Sequence, residues 1–581
     1  MTNAKSCLEP AQVTCPPALP LECGSHCDFN LNIGIFFDGT DNNMERDAPS
    51  LSQSNVARLF AAYKDEWAEG FFAHYVEGVG TPSPGKFGTS GGDPRESAAG
   101  KGGEPRIIWG LLQVLNSVNR FVNHNRTMFD DKQMKVLCTD RWVTPEDPNE
   151  WPRPSTRKED EILEALGLQS GLVDHEKNRS KFLKECANKL SRQLKTPETL
   201  PRVAGVYIDI FGFSRGSAQA RVFTNWLHEY FLIDGKLFGI PSFVRMLGLM
   251  DTVASVGITN ANNGEGHWSW ATPENLQIHP DVKNCVHYVA LHEFRTVFPS
   301  DSICRDSILP PNCHEHYYPG AHSDVGGGYP PGCQGKAVQI NYAAGGSGAV
   351  TPTADDSKKL AQLPLNDMYL AARKTCEFHS LGQAWLEVTS QSKDDQNPLI
   401  AQFALDPQVR SSVESYFASC GIGNDLTVDA QLRQHGLLYL TWRYQVNKAN
   451  YFEQLTSVKY ARTVDAHGLT YYKRGQEVFA RQIELIPRVF PSAAEKGARD
   501  GYNRHANEIY RLIVKKDLPP AVGGFYDTYV HDSYAAFIEK LGGELMRGIV
   551  EGEGYLRYRG VYRGSETRLN AMANAPKRNY A

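Results

Sequence analysis

Apolar positions along this chain fall into two rhythms. Unbroken β-branched and aromatic runs of strand length end in polar turns at LNIGIFFDGTDNN (31–43), FFAHYVEGVGT (71–81), GVYIDIFGF (205–213) and PSFVRMLGLMDTVASVG (241–257). CVHYVALHEF (285–294) reads as a strand or a short helix. Between them, SNVARLFAAYK (54–64) and RIIWGLLQVLNSVNRFVNH (106–124) repeat their apolar residues every three to four positions, the period of an amphipathic helix. Continuous apolar strands alternating with helices predict an α/β fold, a mostly parallel sheet with helices on both faces.

The rhythm changes twice. Residues 125–200 are charged and interrupted by PEDPNEWPRP, which reads as an insertion ending in a helix near 174–195. Beyond about residue 335, AVQINYAAGGSGAVTPTADDS reads as a linker or surface loop. The segments 363–378, 438–455 and 503–516 then have helical spacing and are rich in aromatics. The predicted organisation is a flexible N-terminal arm (1–28), an α/β domain (29–335) carrying the insertion, and a mainly α-helical C-terminal region (336–581) suited to a membrane or a partner.

Within GVYIDIFGFSRGSAQARVF (205–223) the strand gives way to the helix at Gly212-Phe213-Ser214-Arg215-Gly216. A serine in G-x-S-x-G at a strand-to-helix turn is forced into a strained backbone, and small flanking residues let strand and helix pack closely around it. Its hydroxyl stands at a helix N-terminus, where negative charge is favoured. An ordinary βα turn also uses Gly and Ser; the apolar strand before and the helix after favour a nucleophile.

A serine needs a base, and the base an orienting acid, in chain order Ser, Asp or Glu, His. Asp251 follows the apolar run VRMLGLM at a strand's carboxyl end, where such sites gather. Its rival, Asp324, lies two residues from the best histidine and is poorly placed to face it. That histidine, His322, sits in the Pro/Gly-rich stretch YYPGAHSDVGGGY (317–329). His287 and His292 belong to an apolar run and read as structural, and His531 is a further candidate. For an oxyanion, the backbone N–H of Arg215 supplies one donor and the exit loop of the first strand the other, through Gly39 or Thr40. Asp38 then flanks the site.

The net charge of −5 and the absence of a long Lys/Arg cluster argue against a nucleic-acid partner. No apolar run reaches membrane-span length, and the first residues have no apolar core of a secretory signal. TPSPGKFGTSGGDPRESAAGKGG (81–103) contains Gly-Lys but not the frame of a phosphate-binding P-loop. Of twelve cysteines, Cys7, Cys15, Cys23 and Cys27 fall early, with His26, but not at zinc-finger spacing. Cys304 and Cys313 flank a loop and could pair in an oxidising compartment. No metal or cofactor is expected.

FFDGTDNN, YVEGVGT, IFGFSRGSAQAR, GLMDTVASVG and YYPGAHSDVGGGY, in that order over about residues 29–330, resemble the α/β-hydrolase domain of the first family of type VI secretion lipase effectors. HEFRTVFP (292–299) fits a further block, although family members often carry Asp where His292 stands. GFYDTYVHDSYAAF (524–537) and GEGYLRYRGVY (552–562) look like segments found after the domain, and His531 and Asp532 in the first read as structural. The resemblance implies a Ser214–Asp251–His322 triad and A-type hydrolysis of glycerophospholipid esters. It further implies delivery by a secretion spike to a rival's periplasm, and a cognate immunity protein. The motif is shared with esterases of soluble acyl or peptidyl substrates, and a hydrolase frame can also serve as a non-catalytic adaptor.

Overall fold

The computed structural model describes residues 5–16, 28–83, 85–87, 102–139, 157–168, 175–194, 202–256, 267, 269–295, 297–305, 308–342, 350–376, 383–388, 398–424, 426–493, 500–535 and 554–563. The main strands are β1 (Lys5–Ser6), β2 (Asp28–Phe37), β3 (Phe71–Val76), β4 (Arg202–Phe213), β5 (Ile240–Met250), β6 (Cys285–Ala290) and β7 (Cys313–Tyr318). They lie in the order β1-β7-β6-β5-β4-β2-β3 within a nine-stranded sheet. Every pairing along that path is parallel. The antiparallel members are the two short strands Leu232–Ile233 and Lys236–Leu237, which extend β5. CVHYVALHEF therefore contributes a strand, as its β-branched Val286 and Val289 favour.

Both faces of the sheet are covered, and alternation along the strands sorts the core. Ile33, Ile35 and Phe37 of β2, with Ile208 and Ile210 of β4, pack with helices α2 (Gly103–Val122) and α3 (Arg215–Tyr230). Phe36, Phe211, Met246 and Tyr288 point the other way. They pack with α1 (Asn55–Ala61) and with elements beyond residue 335: α5 (Gln362–Lys374), α6 (Val428–Lys448) and α7 (Pro520–Tyr529). Between these halves of the chain lies the short helix α4 (His322–Gly326). The C-terminal helices thus supply one layer of an α/β-hydrolase-like sandwich. Trp385 shows how tightly: its ring meets Phe36, Tyr63, Phe211 and Tyr369. On either side of it, Lys64 N–H donates to Ala384 O at 2.9 Å and Leu386 N–H to Ala62 O at 2.8 Å. A buried Arg58–Asp356 ion pair, 2.6 Å, joins α1 to the same layer.

Three expectations change. Residues 5–16 are not a loose arm: β1 pairs with β7 at the sheet edge, Cys7 and Val13 are buried, and Thr14 N–H donates to Asn284 Oδ1 at 2.8 Å. Two apolar side chains and an unpaired strand edge suffice to anchor a segment whose prolines suggested an extended tail; Cys23, Cys27 and His26 lie outside the described residues. The stretch read as a linker folds as an antiparallel hairpin, Val338–Tyr342 with Val350–Ala354, whose alternating VQINY and VTPTA suit paired strands. Cys304 and Cys313 are both free thiols. The insertion is helical at Asp131–Thr139, Arg157–Ala165 and His175–Leu194, and buries Met134, Leu163 and Leu190 in the core cluster shared with α2.

Because Trp385 welds the C-terminal layer to the sheet, Trp385→Ala should cost about 3–5 kcal/mol. Urea unfolding followed by fluorescence and by far-ultraviolet dichroism should show both layers melting together. A stable intermediate retaining the sheet signal would contradict the single-body packing.

Candidate active site

The turn from β4 to α3 holds Ser214 at φ 58°, ψ −125°, a region that L-residues rarely occupy and that costs on the order of 1–3 kcal/mol. Its neighbours enforce this. A Cβ at Gly212 would lie 2.5 Å from Gly216 O, and one at Gly216 would lie 2.3 Å from Phe37 O and 2.5 Å from Asp38 O. Neither position tolerates alanine without moving backbone. Ser214 N–H donates to Met250 O at 3.0 Å and Ser214 O accepts from Val253 N–H at 3.2 Å, so the turn at Ser214 is tied to both sides of Asp251. Ser214 is only 3% exposed.

Asp251 begins the turn after β5, with φ 43°. It is wholly buried, and its Oδ2 is 2.5 Å from His322 Nδ1. Its Oδ1 accepts from Ala290 N–H at 2.9 Å. Within its Pro/Gly-rich stretch, His322 is the first residue of the short helix α4. The helix seats its ring between Phe213, with centroids 4.6 Å apart, and Phe298, at 4.9 Å. Nδ1 is taken by Asp251, so Nε2 points away from the acid, and the ring lies against Phe213, the residue before Ser214. The Ser214 hydroxyl makes no hydrogen bond among the described residues; catalytic contacts of this kind commonly tighten only with substrate present.

The rival acid is committed elsewhere. Asp324 Oδ2 accepts from Ala321 N–H at 2.9 Å and His531 N–H at 3.1 Å, and Oδ1 is 2.6 Å from His531 Nδ1. Asp324 and His531 therefore brace α4. Asp532 pairs with Arg443 in the C-terminal layer. His292 accepts Gly320 N–H at 2.8 Å and meets Tyr416 OH at 3.1 Å; burial pushes its pKa well below the ordinary imidazole value. His287 is 2.9 Å from Glu315 and accepts Thr252 N–H at 3.0 Å, which fixes the turn after Asp251.

At the exit of β2, Gly39 N–H donates to Asp38 Oδ1 at 2.7 Å, the carboxylate of the residue before it. The Thr40 hydroxyl beside it is buried without a hydrogen-bond partner among the described residues. The N–H of Arg215 opens α3, in the first turn where no intrahelical acceptor exists. Asp38 is buried against this loop and also accepts from Tyr75 OH. Burial lifts its carboxyl to about 6, against the opposing hydrogen bonds from Ser54, Tyr75 and Gly39.

Three groups have no local signature in the sequence. Arg559 donates from Nη1 to Asp251 Oδ1 and from Nη2 to Asp251 Oδ2, each 2.8 Å. Glu293 accepts His322 N–H at 3.3 Å and Ser533 Oγ–H at 2.9 Å, and Arg295 holds it by two 2.9 Å bonds. Burial pushes the Asp251 carboxyl up, but the Arg559 charge and the His322 hydrogen bond outweigh it and hold it well below the usual carboxylate range. Burial lowers the His322 pKa, with the Asp251 hydrogen bond opposing. An ionised acid beside a neutral imidazole is the state a base needs in order to accept a hydroxyl proton.

Residues 238–370 match the family described as "T6SS, Phospholipase effector Tle1-like, catalytic domain". The matched segment contains Asp251 and His322, and Ser214 precedes it. The family is the one that the ordered motifs resemble. A crystal structure of an uncharacterised protein from Pseudomonas aeruginosa superposes with TM-score 0.66 at 22% identity, covering 93% of this chain and 80% of that one. The two share a fold. A structure of the Tle1 effector bound to the VgrG spike of the type 6 secretion system gives TM-score 0.33 at 16% identity, covering 70% and 83%. No curated protein matches the chain.

The geometry ranks the two acids. Asp251→Asn should lower turnover roughly 10⁴-fold, because the amide favours the wrong imidazole tautomer. Asp324→Asn should act through stability, with a lower melting temperature and a much smaller loss of turnover. Steady-state ester hydrolysis and melting curves on both variants check this; the reverse ranking in turnover would reassign the acid.

Proposed function

We propose that this chain, through the likeness of residues 238–370 to Tle1-like phospholipase effectors, is an A-type phospholipase exported by a type VI secretion system. The observation that carries the reading is the buried His322–Asp251 pair beside a serine held at positive φ in G-x-S-x-G. Ser214 Oγ attacks the acyl carbonyl carbon while His322 Nε2 takes its proton, and Asp251 stabilises the imidazolium through Nδ1–H. The carbonyl π bond opens to an oxyanion, received by the Arg215 N–H and by Thr40. As the tetrahedral intermediate collapses, the ester C–O bond breaks, and His322 returns the proton to the departing lysophospholipid oxygen. Water then enters by the same path: His322 removes its proton, the acyl carbon is attacked, and the fatty acid leaves as Ser214 is reprotonated.

No step calls for a metal or cofactor. The partners in this reading are a phospholipid surface as substrate, a spike protein for delivery and a cognate immunity protein, with no nucleic acid. The place of action is the periplasmic face of a target cell's membrane. Among the described residues no helix is long and apolar enough to cross a membrane. In this reading lysis comes from ester hydrolysis. A soluble-ester hydrolase with the same triad is separated from this reading by its preference for monomers over micelles.

Ser214→Ala should retain the wild-type melting temperature and lose about 10⁴–10⁶-fold in turnover on position-labelled phospholipid. Directed to the periplasm, the wild type should lyse cells and the variant should not. Equal lysis by both would show that the toxic agent is binding or a pore.

A further inference from the structure

The triad reading leaves one strong interaction unused. Arg559 comes from the far end of the described chain, 308 residues after Asp251, yet both of its terminal nitrogens meet both Asp251 oxygens. It is 6% exposed. Its remaining bonds leave it little freedom: Nε–H donates to Phe298 O at 2.8 Å, and Nη1 also donates to Ala290 O at 3.0 Å. The segment carrying it is anchored beside the same turn. Val561 and Tyr562 pair in parallel with Ser300 and Asp301, Ser300 N–H donates to Gly560 O at 2.8 Å, and Asp301 N–H donates to Thr252 O at 3.0 Å. Asp301 Oδ2 accepts Ala254 N–H at 2.8 Å. A continuous set of bonds thus runs from the 554–563 segment, through Ser300–Asp301, to the residues that follow the acid.

We propose that Arg559 is a positioning residue for the Ser214–His322–Asp251 site, completing it from the C-terminal segment by fixing the Asp251 carboxylate and opposing proton uptake by the His322–Asp251 pair. The inference rests on the triad reading of the previous subsection. Two consequences follow from the fork geometry. With one guanidinium nitrogen on each oxygen, the carboxylate plane is held and Oδ2 keeps a lone pair for His322 Nδ1–H. With a fixed cation 2.8 Å from the Asp251 oxygen that faces His322, part of the carboxylate's charge is already matched, so a second positive charge on the imidazole gains less from it and the base stays neutral to lower pH. An arginine acting only as packing would do neither.

The other charged groups near the pair are Glu293 and Arg295 from the turn after β6, Asp324 on α4 with His531, and Glu315 behind His287. All remain when Arg559 alone is changed, so a shift in pH dependence reports on Arg559.

The test measures kcat and KM against pH on a soluble short-chain ester, using full-length wild type, Arg559→Met, Arg559→Lys and Ser214→Ala. Arg559→Met should lose on the order of 10–10²-fold in kcat, through a misplaced acid, with KM nearly unchanged. The acidic limb of its kcat/KM profile should move up by about one pH unit or more. Arg559→Lys, with one point charge in place of a fork, should fall between the two in both respects. A folded Arg559→Met whose profile superimposes on the wild type overturns the proposal, even if kcat is lower. Should Arg559→Met fail to fold, Arg559→Lys decides: a smaller upward shift with reduced kcat supports the proposal, and wild-type kcat and profile overturn it. Activity retained by Ser214→Ala would instead overturn the triad reading itself.

Discussion

Asp251 is a carboxylate with no access to water, and much of the surrounding architecture follows from keeping it ionised. Taking such a group out of water costs several kcal/mol even after the protein relaxes. That cost is offset by the Ala290 N–H, the His322 ring and the Arg559 fork, which come from three separate parts of the chain. The carboxylate can face the imidazole because β5, β6 and β7 run parallel side by side, so that the turn after β5, the end of β6 and the helix α4 that follows β7 gather at one end of the sheet. Removing one partner of such a buried set exposes an uncompensated charge, which is why these positions are coupled rather than additive.

The same constraint explains why the C-terminal layer is part of the hydrolase rather than an appendage. It covers one sheet face with aromatics around Trp385 and Tyr526, and it reaches into the site at three points. His531 braces Asp324 and hence α4, Ser533 holds Glu293 under the His322 backbone, and Arg559 holds Asp251. His322 and Asp251 are therefore both steadied from beyond residue 530. Ser214 is not; its strained backbone is imposed by Gly212 and Gly216 and by the strand and helix that they let touch.

What the sequence made legible divides along that line. The strained turn at Ser214 could be read because its geometry is local: two glycines, a strand and a helix within a short stretch. That Asp251 and His322 meet could be read because chain order and strand ends restrict where partners stand. The sheet, too, follows from apolar runs whose alternation sorts Phe36 from Ile35 and Phe37 onto opposite faces. Arg559 could not be read this way. GEGYLRYRGVY offers both Arg557 and Arg559, and nothing local says which one a carboxylate 308 residues away will capture. The N-terminal strand and the 338–354 hairpin escaped for a related reason: each is short and owes its state to an edge or a partner strand. At Gly39 the loop could be read but not its bonding: the Asp38 side chain next to it takes the N–H.

The central claim is that the buried pair makes Ser214, alone among this chain's hydroxyls, a nucleophile toward acyl carbonyls. A fluorophosphonate that mimics the tetrahedral intermediate tests this directly, with the modified peptide identified by mass spectrometry. One adduct per chain is expected, on Ser214, formed at a rate that falls sharply in Asp251→Asn. An adduct on another residue, or lipid hydrolysis that persists with Ser214 unlabelled after full exposure, would contradict it.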